Sequence, residues 1–253
     1  MCLISLAYKV VPDLQLAVCS NRDEFYARPT AAMEWWPSAN ILAGRDLQAG
    51  GTWLGVSGGG RFAAVTNFRG TFGPDKPLSR GRLVADFLTS GASAADWAKA
   101  ACQRANHYAG FNLLVFDGNS LYYLNNYQST ATALDPGIYA ISNHSLDSPW
   151  PKVDYAKQQL RDNLAGHGPA HERLAELTSL LSRRQPYPDS RLPDTGIPRE
   201  WEKRLSSAFI ISEDYGTRAS TGVMVASSGE IAVMENCYEL GIFKSSQRFT
   251  FQP

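Results

Sequence analysis

The chain has 253 residues, 44% of them hydrophobic, and its 24 Lys and Arg balance 24 Asp and Glu. That length buries a substantial core, and the absent net charge argues against a nucleic-acid footprint or a polybasic membrane patch. No stretch reaches the roughly 20 apolar residues of a membrane span, and the start lacks the basic region of a signal peptide.

Two apolar runs, "LISLAYKVV" and "LQLAVCS", flank the turn signal Pro12-Asp13 and read as a hairpin, with Asn21 to Glu24 just past its second strand. Strand patterns follow at "NILAG", "TWLGVS" and "RFAAVTNF". Two helical patterns come next, with Ser79 and Ser93 placed as N-caps. Strands resume at "FNLLVFDG", "SLYYLNN" and "GIYAIS", helped by a turn at Asp117-Gly118-Asn119. Helices are expected from about Lys152 to Leu164 and from about His171 to Ser182. The proline-rich "RQPYPDSRLPDTGIP" reads as a loop or cover segment. "AFIIS", "TGVMVASSGEIAVMENC" and "GIFKSSQRFTF" close the chain as strands, with a hairpin turn at Ser227-Ser228-Gly229. Alternating blocks of strands and helices predict an α+β fold of antiparallel sheets layered with helices. No composition shift divides residues 1–253, so a single domain is expected.

The cysteines at 2, 19, 102 and 237 form no C-x-x-C pair, which fits neither a disulfide scaffold nor a zinc ribbon. A reduced, cytoplasmic protein is the expectation. "GVSGG" matches a nucleophile elbow in letters only, because a strand follows it where an elbow needs a helix. "HGPAH" has metal-like spacing, but Gly168-Pro169 breaks a helix and no third ligand is evident, so no metal site is expected. "GGTW" reads first as a tight turn with a core tryptophan, and "SPWPKV" as a helix start with Pro151 near its first turn.

Cys2 carries the chemical argument. Removal of Met1 gives a residue with both a thiol and a free α-amine, which titrate near 8.5 and 7.7–8.0. The amine can take the thiol proton and return it to a leaving amine, the N-terminal-nucleophile way of activating a weak nucleophile. Amide hydrolysis also needs oxyanion donors. Asn67 and Asn143 each end an apolar run that then turns, and are the candidates. Asp23 is placed to hold an ammonium, and Arg22 and Arg218 lie at comparable strand edges, where Arg218 beside Cys2 would favour the thiolate.

The blocks "SNRDE", "AGGTWLGV", "RFAAVTNFRG", "ISNHSLDSPWPKV" and "YGTRAST" resemble the NRDE family, also called the transport and Golgi organisation protein 2 family. The resemblance implies a four-layer α-β-β-α sandwich of the N-terminal-nucleophile hydrolase type, a cytosolic role and, for eukaryotic relatives, a mitochondrial association. It also implies links to haem mobilisation and to lipid or acyl-CoA homeostasis. A more distant resemblance runs to cysteine amidases of penicillin V, conjugated bile salts and ceramide-like amides. It would make Cys2 the nucleophile, Arg22 and Asp23 its companions, Asn67 and Asn143 the oxyanion donors and Arg218 the late arginine. Those amidases usually hold the first arginine and aspartate two residues apart, whereas here they are adjacent, which leaves the direction of Arg22 open. Two functions follow. One is a cofactor-free hydrolase of an amide bond in a small or amphipathic substrate. The other is a carrier of haem, or of lipid or acyl-CoA, that uses the same cleft, with Cys2, His107 and His144 as haem-ligand candidates. Oligomeric state stays open.

Overall fold

A computed structural model describes residues 2–69, 76–166 and 170–253, with the side chains of residues 170–172 left out. Met1 and residues 167–169 of "HGPAH" lie outside the described residues. The N-terminal half runs β1 (Cys2–Val11), β2 (Leu14–Phe25), β3 (Thr30–Trp36), β4 (Ile41–Asp46), β5 (Leu54–Ser57), β6 (Phe62–Asn67), α1 (Arg80–Thr89) and α2 (Ala94–Gln103). It continues through β7 (Phe111–Phe116), β8 (Leu121–Asn125), β9 (Thr130–Ala133), β10 (Gly137–Ile141), α3 (Pro151–Ala165) and α4 (Ala170–Ser179). The last elements are α5 (Arg199–Arg204), β11 (Tyr215–Ala226), β12 (Ile231–Glu239) and β13 (Ile242–Phe251).

Among the described residues the strands form a six-stranded sheet, β10-β1-β2-β11-β12-β13, and a seven-stranded sheet, β3 through β9 in order. Every neighbouring pair is antiparallel. Side chains alternate between the two faces of a strand, and both faces of the inner strands are apolar here. On β1 and β2, Ile4, Leu6, Leu16 and Val18 point into the seam between the sheets, where they join Leu42, Phe62 and Phe116. Leu3, Ala7, Ala17 and Cys19 face the other way, onto Val153 and Leu160 of α3 and Leu174 and Leu177 of α4. The outer face of the seven-stranded sheet is covered by Val84 and Phe87 of α1 and Trp97 of α2. The expected α-β-β-α sandwich is therefore the observed one. No helix of the described residues is long and apolar enough to cross a membrane.

Several local expectations need correction. Asn21 to Glu24 lie within β2 and not past it, because β11 pairs along β2 as far as Tyr215 opposite Phe25. Tertiary pairing overrides the weak strand preference of these polar residues. β3, β9 and α5 were not expected from sequence pattern: β3 has a register shift between Ala31 and Glu34, and β9 has only 4 residues. Ser93 caps α2 by accepting the Asp96 N–H at 3.0 Å, whereas Ser79 precedes α1 without a side-chain cap. Trp53 is only partly buried, and its indole ends at a cleft.

The cover segment is tied down by charge as well as by packing. Arg69, just beyond β6, pairs at 2.6 Å with Glu202 of α5, and the two side chains are 7% and 2% exposed. Glu202 also accepts the Thr195 N–H at 3.0 Å. Removing one member of a buried pair leaves the other charge uncompensated. Glu202→Ala is expected to lower stability by ~3–5 kcal/mol, read as a fall in the urea midpoint at unchanged slope.

Candidate functional site

Cys2 opens β1 with its Cα opposite that of Arg22. It is 9% exposed, and its carbonyl accepts the Ser142 Oγ–H at 3.1 Å. The residue lines a cleft of about 290 Å³ together with Arg22, Asp23, Trp53, Asn67 and Arg80. The cleft draws on both sheets and on the start of α1. That start sits close because Gly51 and Gly81 pack backbone to backbone: a Cβ on Gly51 would lie 2.5 Å from the Gly81 carbonyl carbon.

The four polar residues at the end of β2 divide by face. Asn21, fully buried, donates from Nδ2 to the Leu181 and Ala208 carbonyls at 2.8 Å each and accepts the Ser220 Oγ–H at 2.7 Å. It is a structural clip. Arg22 falls on the face that Cys2 occupies. Its guanidinium lies 4.2 Å from the Trp53 ring centroid and donates to Thr30 Oγ1 at 3.1 Å, with Glu24 at 3.9 Å. Asp23 is 1% exposed, and its Oδ1 accepts the Thr217 Oγ1–H at 2.7 Å. Adjacency in sequence thus sends Arg22 and Asp23 in different directions, which settles where Arg22 points.

Electrostatics follow burial. Burial raises the Cys2 thiol, with Asp23 and Glu24 adding to the rise and Arg22 opposing it. Cys19 and Cys237 are pushed up to about 12, each chiefly by burial. Burial also lifts Asp23 to about 6, against the pull of Lys152, the Thr217 hydrogen bond and Arg22. Lys152, 3% exposed in the first turn of α3, donates from Nζ to the Leu205 carbonyl at 2.8 Å. Burial and the Arg69 charge lower it to about 8, while Asp23 and Cys2 act in the other direction. Sequence reasoning passed over Lys152, because a lysine after a helix-starting proline gives no sign of being buried.

The two candidate oxyanion donors are joined at one suture. Asn143 donates from Nδ2 to the Asn67 carbonyl at 2.9 Å, and its Oδ1 lies 3.1 Å from Ser142 Oγ, sharing that hydroxyl's one hydrogen with the Cys2 carbonyl. Thr66 Oγ1–H donates to the Ser142 carbonyl at 2.6 Å. Asn67 lines the cleft, and its side-chain amide makes no hydrogen bond to another described residue. Asn143, fully buried, stands behind it and does not line the cleft.

Arg218 is placed elsewhere. Thr217 pairs with Asp23 and Ala219 with Arg22, so Arg218 is the extra residue of a β-bulge. Its Nη1 donates to the Phe25, Tyr26 and Arg28 carbonyls at 3.1, 3.2 and 3.2 Å. The side chain lines a neighbouring cavity of about 210 Å³ and not the Cys2 cleft. Among the described residues no three His, Cys, Asp or Glu side chains gather as metal ligands.

The sequence pattern of the Transport and Golgi organisation 2 family matches residues 1–239. The chain is 33% identical over 258 residues to the Transport and Golgi organization protein 2 homolog of Bos taurus, covering 93% of this chain and 92% of that one. It is 30% identical over 243 residues to Transport and Golgi organization protein 2 of Drosophila melanogaster, covering 87% and 85%. Among solved structures, it is similar to the C2A mutant of a conjugated bile acid hydrolase from Clostridium perfringens: TM-score 0.45, 12% identity, 99% of this chain and 97% of that one. It is also similar to a Caenorhabditis elegans N-acylethanolamine-hydrolyzing acid amidase ortholog: TM-score 0.45, 11% identity, 70% and 85% coverage.

Asp23 gives a signed test. Its folded pKa of about 6 lies above the usual 3.8, so its stabilising contribution is complete below the ordinary value and lost as pH rises through 6. At pH 8 its ionised form costs up to about 3 kcal/mol. Asp23→Asn is expected to gain stability relative to the parent between pH 4 and pH 8, measured by urea unfolding at both. A constant difference across that range would rule out a strained buried carboxylate.

Proposed function

The chain belongs to the Transport and Golgi organisation 2 family, and we propose that it is an N-terminal-cysteine hydrolase of a carbon–nitrogen amide bond in a small or amphipathic substrate. One observation carries this reading: Cys2, Asp23 and Asn67, from three different strands, line one cleft. With Met1 removed, the Cys2 amine takes the thiol proton and Sγ attacks the amide carbon. The side-chain amide of Asn67 donates to the developing oxyanion, where fixed donors lower the barrier most. Asn143 acts through Asn67, by gripping the carbonyl of that residue. Asp23 balances the ammonium. Collapse breaks the C–N bond, the ammonium returns its proton to the leaving amine, and a thioester remains. Water then attacks that thioester, releasing the acid and restoring the thiol.

The buried, raised thiol fits a nucleophile deprotonated only as it reacts, with its base one residue's width away. Arg22 on the Cys2 face opposes that rise, since its charge favours the thiolate. Haem carriage draws less support, because of its candidate ligands Cys2, His107 and His144 only Cys2 lines the cleft.

The test is release of free amine from a panel of N-acyl amides, using protein whose intact mass shows that Met1 is gone. Cys2→Ala is expected to abolish turnover with the melting transition retained. Asn67→Ala is expected to lower kcat by roughly 10²–10³-fold. Turnover that survives Cys2→Ala would end the proposal.

A further inference from the structure

Next to the Cys2 cleft lies the cavity of about 210 Å³ that Arg218 lines. It shares Arg22 and Trp53 with the Cys2 cleft. Its remaining charged groups are Glu235, Glu239 and Lys244. Glu239 and Lys244 pair with each other at 3.1 Å and are half exposed, so they cancel at the mouth. Glu235, fully buried, is committed to the fold: Oε1 accepts the Met33 N–H at 2.7 Å, and Oε2 accepts the Thr221 Oγ1–H at 3.4 Å. Burial also raises its carboxyl.

The two arginines are differently placed. Arg22 has a carboxylate only at 3.9 Å, beyond hydrogen-bond length. Arg218 is half-buried and spends Nη1 on backbone carbonyls, and among the described residues no carboxylate stands within ion-pair range of it. The cavity therefore carries two guanidinium groups against one buried carboxyl already engaged by the backbone. Guanidinium forks recognise carboxylate and phosphate oxygens, and partial burial strengthens that attraction.

We propose that this second cavity is an oxyanion-binding compartment in which Arg22 and Arg218 hold the carboxylate or phosphate group of a ligand. The bulge in β11 re-aims Arg218 into the compartment, and Trp53, which lines both spaces, supports Arg22. Because Arg22 faces both spaces, an anion bound there draws on the charge that favours the Cys2 thiolate. Occupancy and thiol reactivity are thereby coupled through one side chain.

Calorimetric titration with laurate, dodecyl phosphate and inorganic phosphate tests the assignment, and it needs no turnover, so it stands or falls apart from the hydrolase reading. Saturable binding of at least one of the three is expected. Arg218→Gln is expected to weaken it by about tenfold or more, the size of one lost charge-assisted hydrogen bond. That variant also loses contacts to the Phe25, Tyr26 and Arg28 carbonyls, so Ala32→Glu is the second arm: it keeps both arginines and places a repelling carboxylate on the cavity wall. It is expected to lose binding with its melting transition intact. Equal affinity for inorganic and dodecyl phosphate supports a free anion as occupant, and preference for the alkyl chain supports an amphipathic one. No saturable binding by any probe, or binding unchanged in Ala32→Glu, overturns the proposal.

Discussion

The pairing of β11 along the full length of β2 is the constraint on which the site depends. It draws a run of four polar residues, Asn21 to Glu24, into the middle of a sheet covered on both faces. A strand that central buries Asn21, Arg22 and Asp23, so each of the three takes a partner inside, while Glu24 stays partly exposed at the cleft. Asn21 finds two carbonyls and a hydroxyl, Arg22 an indole face and a threonine, Asp23 the hydroxyl of Thr217. The raised Asp23 is a consequence of that burial. A loop carrying the same four letters would have solvated them and left ordinary carboxylates.

A second constraint is the joint between the sheets. β6 and β10 belong to different sheets, and their ends are stitched by Thr66 to Ser142, Ser142 to Cys2 and Asn143 to Asn67. These bonds bring the first residue of β1 and the last residue of β6 to one cleft. Under the proposed hydrolase reading, Cys2 on one sheet and Asn67 on the other need such a joint, because relative sliding of the sheets by about an ångström would separate them. Arg69 and Glu202 extend the joint outward to the cover segment, which explains why a pair so costly to desolvate is kept there.

Much of this was legible in the sequence, and the reasons differ by element. The hairpin turns at Pro12-Asp13, Asp117-Gly118 and Ser228-Gly229 depend on local backbone chemistry, and they stand where the letters place them, with Gly118 and Gly229 at positive φ. Cys2, Asp23 and Asn67 were conspicuous because each is a polar group at the margin of an apolar run. Lys152 and Glu235 were not, because their burial is imposed by elements far away in the chain: Leu205 and Met33 supply their partners. Trp53 was misjudged for a related reason. Its place beside a strand pattern says core, but Trp53 precedes β5, and the cation that stacks on it arrives from β2.

The position of Arg218 shows most clearly what a sequence reading leaves out. Without the bulge, the residue after Thr217 would pair with Arg22 and set a second cation on the strand beside Cys2. One extra residue passes that place to Ala219 and turns the arginine toward the Tyr26 side of the sheet. The consequence is a separation of charge. The Cys2 cleft keeps Arg22, whose charge opposes the rise of the thiol, while Arg218 lines the neighbouring cavity with its Nη1 on three backbone carbonyls. A single extra residue in β11 therefore decides whether Arg218 lines the Cys2 cleft or the neighbouring cavity, and it leaves Arg22 as the arginine that opposes the burial-driven rise of the Cys2 thiol.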